Sequence, residues 1–306
     1  MEFIVARHVI LAMNWRRIAV ASLSIPKSVL RCLLLALLAS NATAQTQFRL
    51  LDQATIESRL KSFSRKNEER EAIIKRLFAE SGCKNDQLSE QVVEAKLPPN
   101  VICVLPGETG GVILVGAHTD KVEEGDGVVD NWSGASLLPS LLYSISGQKR
   151  RHTFIFVGFT GEERGLLGSD FYVHKLSSEQ RSKVEGMVNF DTLGLGPTEV
   201  WASHADIPLL TALTHIASTM KLPIQVMNVD NVGTADSESF AEFKIPRVTI
   251  HSLTQKTLPI LHSRRDNFGA IKMDDYYATY RLMAGYLDFL DTDLDVPLAP
   301  RQKPGP

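Results

Sequence analysis

Residues 110–120, GGVILVGAHTD, and residues 153–163, TFIFVGFTGEE, are built alike: an unbroken apolar run ends at glycines followed by imidazole or carboxylate side chains. A strand with one wet face alternates apolar and polar residues. These runs do not alternate, so both of their faces must be covered. Similar runs recur as NVICVL (100–105), GMVNFD (186–191), EVWAS (199–203), IQVMNV (224–229) and RVTIHS (247–252), with helical spacing at about 134–147, 206–220 and 274–289. Short buried strands alternating with helices predict a three-layer α/β/α sandwich around a mostly parallel, mixed central sheet. Before Pro98, residues 53–82 place Ile56, Leu60, Phe63, Ile73, Ile74, Leu77 and Phe78 at helical spacing, which predicts one or two amphipathic helices.

With 44% hydrophobic and 22% charged residues, the chain belongs to neither the disordered nor the fibrous classes. Its start reads differently. Arg16, Arg17, Lys27 and Arg31 precede the apolar run CLLLALLAS, and Ala42-Thr43-Ala44 follows as a small-x-small cleavage pattern. We therefore expect a signal peptide over residues 1–44, cleavage near Ala44, a true start at Met13, and export to the periplasm or exterior. The apolar run is shorter than the roughly 20 residues a membrane span needs, so no stable membrane insertion is expected after processing. A single domain is expected over 45–295, and the Pro-rich residues 296–306 read as a disordered tail. Removing residues 1–44 takes five basic residues and one acidic residue from the 33 and 35 of the whole chain, leaving 28 against 34, a net charge of −6. Such a balance gives no basic face for nucleic acid. Cys83 and Cys103 survive processing, either paired or as free buried thiols.

The acids and imidazoles fall at strand ends. His118 closes VILVGAH with Asp120 two residues on; Glu162 and Glu163 follow FIFVGFTG; Asp191 follows MVNF. In a parallel sheet these ends share one edge, where ligands bind. Carboxylates gathered there repel one another unless a cation or protons neutralise them. Two loops add Asp130, in GVVDNWSG, and His262, in ILHSRRDNF. Two imidazoles and three carboxylates form a nitrogen and oxygen donor set suited to zinc, and a shared carboxylate would let them hold two ions.

At this point the chain resembles the M28-type zinc metallopeptidases, co-catalytic di-zinc aminopeptidases and their relatives. The motifs, in order, are GAHTD, GVVDNWSGA, GFTGEERGLLGSDFY, NFDTLG, ADSESFAEFKIPRVTI and LHSRRDNF. The resemblance implies a phosphorylase/hydrolase-like fold and two Zn2+ per chain. It implies His118 and Asp191 on one metal, Glu163 and His262 on the other, and Asp130 bridging. Glu162 is then the general base toward water activated by the metals, and Asp120 the carboxylate that orients His118. The family also joins the pair matching Asp130 and Asn131 by a non-proline cis peptide bond. The implied substrate is a peptide or small protein with a free N-terminus. The sequence leaves oligomeric state open.

Some residues depart from the family pattern. Ala235-Asp236-Ser237 stands where Ser-Asp-His is common, and Lys244 where glycine is common. Asp236 and Trp132 are the candidate substrate-lining residues, and Asp266 is either a partner of His262 or a surface acid. Asn131-Trp132-Ser133 is a formal glycosylation sequon, read as accidental because a glycan there would block the metals. Ser133 is a candidate helix cap. His152, His174 and His215 read as ordinary side chains; so do His204 and His251, although their place near strand ends leaves a pocket-lining role open. No Gly-x-Ser-x-Gly elbow follows a strand, so serine hydrolase chemistry is not expected. Glutaminyl cyclisation on the same fold, or a peptide-binding domain without chemistry, are the alternatives.

Overall fold

Each apolar run becomes a strand in the structure, a computed structural model that describes residues 48–230 and 233–293. The expected leader, its start at Met13 and the Pro-rich tail lie outside the described residues. The strands are β1 (Leu88–Gln91), β2 (Asn100–Leu105), β3 (Val112–His118), β4 (Thr153–Phe159), β5 (Val184–Phe190), β6 (Thr198–Val200), β7 (Ile224–Val226) and β8 (Arg247–His251). Of these, β1 has no signature in the sequence: LSEQ is polar, and it is a strand because it pairs antiparallel with β2, Leu88 opposite Cys103. The helices are α1 (Gln53–Lys61), α2 (Asn67–Glu80), α3 (Ser133–Ile145), α4 (Leu167–Lys175), α5 (Ser178–Ser182), α6 (Ile207–Met220) and α7 (Met273–Asp293). All of them fall in one compact unit of the chain. No described helix is long and apolar enough to cross a membrane.

The eight strands form one mixed sheet in the order β1-β2-β4-β3-β5-β8-β6-β7. Its centre, β4-β3-β5-β8, is parallel throughout. Alternate residues of these strands face opposite layers. Val115, Ala117, Phe154, Phe156, Val188 and Ile250 pack on one face with α1, α2, α3, α6 and α7. Leu114, Val157, Phe159 and Met187 pack on the other with Tyr172 and Val173 of α4 and with Phe240. That is the α/β/α sandwich, buried on both sides as the unbroken apolar runs require.

Connectivity positions the site. From β3 the chain crosses by α3 to β4 on one side, then returns by α4 and α5 to β5 on the other, so β3 is the point where strand order reverses. Ligand crevices open at such points, outside the carboxyl ends of the strands. Helix α3, SGASLLPSLLYSI, runs through the thick layer with nearly every residue buried. Its hydroxyls are satisfied locally: Ser140 and Ser144 donate to the carbonyls four residues back, Ser136 O at 3.3 Å and Ser140 O at 3.0 Å. Tyr276 and Tyr280 of α7 reach the hydroxyls of Ser136 and Ser144.

Cys83, just beyond α2, is joined to Cys103 of β2 with a Cα–Cα separation of 6.2 Å. The bond ties the amino-terminal helices to the sheet across a sequence separation of 20 residues. Loop-closure entropy for a span of that size is about 3 kcal/mol. Replacing both cysteines by serine is therefore expected to lower the unfolding free energy by roughly that amount in urea titrations. Coincident unfolding curves for the two proteins would show that the crosslink contributes nothing.

Candidate metal centre

Glycine shapes two of the turns that lead into the site. After β4, Gly161 takes a left-handed φ of 68°, turning the chain so that Glu162 and Glu163 open a 3-10 turn and do not prolong the strand. At the start of α3 a Cβ on Gly134 would lie 2.5 Å from Asn131 Oδ1, a separation that only glycine avoids. Asn131 uses the space this leaves. Its amide donates to Phe190 O at 2.8 Å and its carbonyl accepts from Gly134 N and Thr192 N, so it joins the loop before α3 to the end of β5. The Asp130–Asn131 peptide bond is cis.

These constraints bring the expected ligands together. His118 Nε2 lies 3.2 Å from Asp130 Oδ1 and 3.5 Å from Asp191 Oδ1. His262 Nε2 lies 3.2 Å from Asp130 Oδ2 and 3.0 Å from Glu163 Oε2. Ligand atoms of His118, Asp130 and Asp191 all fall within 4.8 Å of one another, as do those of Asp130, Glu163 and His262. Asp130 is common to both groups and turns one oxygen to each. Glu162 forms a third such group with His118 and Glu163.

Orientation is fixed from behind. His118 Nδ1 faces Asp120, 3.2 Å from its backbone oxygen and 3.6 Å from its carboxylate, which leaves Nε2 for the cluster. The Asp120 carboxylate itself accepts from the backbone N–H groups of Glu162 and Glu163, at 3.2 and 3.3 Å. It therefore sets the position of both glutamates as well as the His118 ring. Asp266 is buried and its role is corrected: its oxygens accept from Val129 N at 2.7 Å and Asp130 N at 3.2 Å, so it orients the bridging aspartate and not His262. His262 and Thr192, next to Asp191, hold left-handed φ values of 51° and 53°. Non-glycine residues tolerate that region only where neighbours enforce it, and such residues gather at functional sites.

Trp132 and Ser133 depart from expectation. Trp132 is fully buried in the core, donating Nε1–H to Arg59 O at 3.3 Å, and has no face toward the cleft. Ser133 does not cap α3; its hydroxyl donates to Val129 O and accepts from Leu193 N. The sequon reading holds: Asn131 has no exposed surface and offers no attachment point for a glycan. Asp236 is buried behind the cluster, where burial and the neighbouring Asp191 and Asp120 raise its carboxyl to about 7.

Beside the ligands opens a cavity of about 290 Å³, lined by Trp201, Val229, Leu253 and Leu261 together with Thr249 and His251. His251, near a strand end and open in the sequence to a pocket-lining role, lines this cavity. Its Nε2 meets Met227 O at 2.9 Å while Leu253 N–H donates to Nδ1, and burial holds its pKa down near about 4. It thus presents a neutral ring whose nitrogens are already engaged.

Electrostatics fit a cation. Burial opposes the ionisation of Asp130, yet the imidazoles of His118 and His262 hold it ionised and below the usual range. Burial raises Glu163 to about 7 and Glu162 to about 9, and Asp191 also lies above its ordinary value because of burial. His262 rises to about 9 on its bond to Asp130; burial opposes a charge on His118, but Glu162 and the aspartates lift it well above 6.5. Protons thus stand between groups that each have a ligand atom for a metal. Glu163 Oε1 is buried with no hydrogen-bond partner, a donor that a cation would satisfy. Imidazole nitrogen and carboxylate oxygen are the donors zinc accepts.

Comparison with known proteins agrees with this geometry. The model of peptidase family M28 matches residues 100–287. Leucine aminopeptidase 2 of Trichophyton rubrum is 39% identical over 88 residues, 29% of this chain and 18% of that protein. Leupeptin-inactivating enzyme 1 of Streptomyces exfoliatus is 29% identical over 151 residues, 48% of this chain and 34% of that protein. The matched part therefore spans about a third or less of these relatives. Among solved structures, an aminopeptidase of Legionella pneumophila superposes with a TM-score of 0.65 at 20% identity, covering 81% of this chain and 77% of its own. A glutaminyl cyclase of Porphyromonas gingivalis gives 0.62 at 19%, covering 77% and 96%. At such identities the structural likeness is one of fold.

The protonation pattern predicts how metal-free protein responds to pH. With the imidazoles and both glutamates raised, the folded chain holds more protons than the unfolded chain, and stability falls as pH rises. The His262 contribution is full below its ordinary 6.5 and is lost as pH climbs through about 9. The Glu162 penalty grows from 4.5 to about 9. Calorimetry of chelator-stripped protein should show the melting temperature falling between about pH 5 and about pH 9, with saturating zinc opposing the fall because only deprotonated ligands bind. A flat or rising profile without metal would contradict this charge assignment.

Proposed function

The chain belongs to peptidase family M28, and from that membership we propose that it is an exported di-zinc aminopeptidase, removing the N-terminal residue of a peptide or small protein. The observation that carries this reading is Asp130, shared between two imidazoles whose other neighbours are Asp191 on one side and Glu163 on the other. One cation would lie among His118, Asp191 and Asp130, the other among His262, Glu163 and Asp130. When bound, the pair would polarise the scissile carbonyl and acidify the attacking water.

Glu162 supplies the proton transfer. It adjoins Glu163, and Asp120 pins the backbone of both. Burial keeps it protonated in the metal-free chain; opposite charge beside it lowers that affinity toward the range where a base works. As base it takes a proton from water while the oxygen bonds to the carbonyl carbon. As acid it returns that proton to the nitrogen as the C–N bond breaks. The cavity walled by Trp201, Val229, Leu253 and Leu261 would receive the side chain of the N-terminal residue.

Export is supported by the charged-then-apolar leader and by the Cys83–Cys103 bond, which persists in oxidising compartments. The mature protein should then begin at Gln45. Glutaminyl cyclisation has a fold-level precedent in the cyclase neighbour. The complete five-residue ligand set favours hydrolysis.

Purified protein loaded with zinc is expected to hydrolyse aminoacyl chromogenic substrates and to ignore their N-acetylated forms. Glu162→Gln should retain zinc and lose about 10²–10⁴-fold in kcat. Full activity in that variant removes Glu162 as the base. Pyroglutamyl product from N-terminal glutamine peptides would instead favour the cyclase, and peptide binding with neither reaction the non-catalytic domain.

A further inference from the structure

Arg70 of α2 is a fully buried arginine lying outside the region matched by the family model. Its guanidinium bonds only to backbone carbonyls. Nε donates to Thr119 O, Nη2 to Gly127 O at 2.9 Å, and Nη1 to Asp126 O and Ser64 O, each at 3.3 Å. Among the described residues no carboxylate stands within ion-pair distance of it. A buried charge without a paired counter-ion is costly, so something else must offset it.

Two features do so. Thr119 lies between His118 and Asp120, and Gly127 lies three residues before Asp130. One planar fork therefore holds the two separate loops that carry the shared aspartate and the histidine facing it. An ammonium is a single point and would not span both carbonyls. The compensating charge sits beyond those loops: burial lowers Arg70 to about 10, and Asp120, Asp266, Asp130 and Glu163 oppose that fall. The guanidinium also lies over the Trp132 ring, 5.1 Å from its centroid.

We propose that Arg70 is a positioning residue of the metal centre, locking the 118–120 and 126–130 loops in register and supplying from behind the fixed positive charge that lets their carboxylates converge before a cation binds. This rests on the metal-centre reading above, but its effect belongs to the metal-free chain as well. Asp266 acts on the same loop through Val129 N and Asp130 N. It contacts none of the 118–120 segment by a hydrogen bond, whereas Arg70 bonds to the backbone of both loops.

The test compares wild-type protein with Arg70→Met and Arg70→Lys, each stripped by chelator and titrated with zinc well below its melting temperature. In Arg70→Met, zinc affinity should fall about 10- to 100-fold, the loss typical when support behind a ligand is removed. Amide hydrogens of residues 118–130 should exchange at least about tenfold faster than in metal-free wild type, with little change in β5 and α6. Arg70→Lys should recover overall stability while its affinity stays below wild type. Wild-type affinity together with wild-type exchange across 118–130 in Arg70→Met overturns the proposal. If that variant does not fold, the same result in Arg70→Lys overturns it. Should wild-type protein bind no zinc, the metal-centre reading fails on its own, and the exchange comparison still decides the role of Arg70.

Discussion

One carboxylate serving two imidazoles is the constraint on which the molecule is organised. For Asp130 to place one oxygen 3.2 Å from His118 and the other 3.2 Å from His262, the loop before α3 must be held to a fraction of an ångström. That loop has no ladder of its own. Its backbone is held by Asp266 accepting from Val129 N and Asp130 N, by Arg70 donating to Gly127 O, and by Ser133 donating to Val129 O. Each contact also removes an unpaired buried polar group, so rigidity and satisfaction are gained together.

Charge explains why the arrangement is built this way. Carboxylates on one sheet edge are mutually unfavourable, and in the metal-free chain Glu162, Glu163 and both imidazoles hold their protons more tightly than they ordinarily do. Those are also the groups whose protons must leave when a metal enters, which couples the centre to pH. Arg70 cannot neutralise the cluster by contact, since it reaches only carbonyl oxygens. Its charge acts through the intervening loops, where low dielectric lets it carry further than at the surface.

The parallel core was readable because residues buried on both faces leave unbroken apolar runs, and the site because those runs stop at His118, Glu162, Glu163 and Asp191. Asp130 and His262 lie in loops that no periodicity reports, and their pairing with particular metals came from the family resemblance. What stayed hidden depends on contacts between distant segments. Nothing local marks LSEQ as a strand, since its pairing with β2 makes it one. Arg70 reads as one more charge on an amphipathic helix, because burial of its guanidinium is decided by carbonyls about fifty residues further along the chain. Trp132 misled for the same reason: adjacency to the bridging aspartate suggested the cleft, whereas the start of α3 turns the indole toward Arg59 and Arg70. His251 alone carried a usable signal, its position at the end of an apolar run.

The departures from the family pattern separate two parts of the site. Lys244 sits at a φ of 56°, in the left-handed region that makes glycine the common choice there, so this chain accepts backbone strain at a surface turn without touching a ligand. Ser237, where histidine is common, bonds to Thr249 at 2.7 Å, and Thr249 lines the cavity. The substitution is therefore felt in the cavity lining, beside the neutral His251, and not at Asp130, Asp191 or Glu163. A metal centre tolerates few changes because each ligand answers to a fixed geometry, while a cavity wall answers only to the shape and polarity of what it receives. Of these departures, Ser237 reaches the cavity through Thr249, and none falls on Asp130, Asp191 or Glu163.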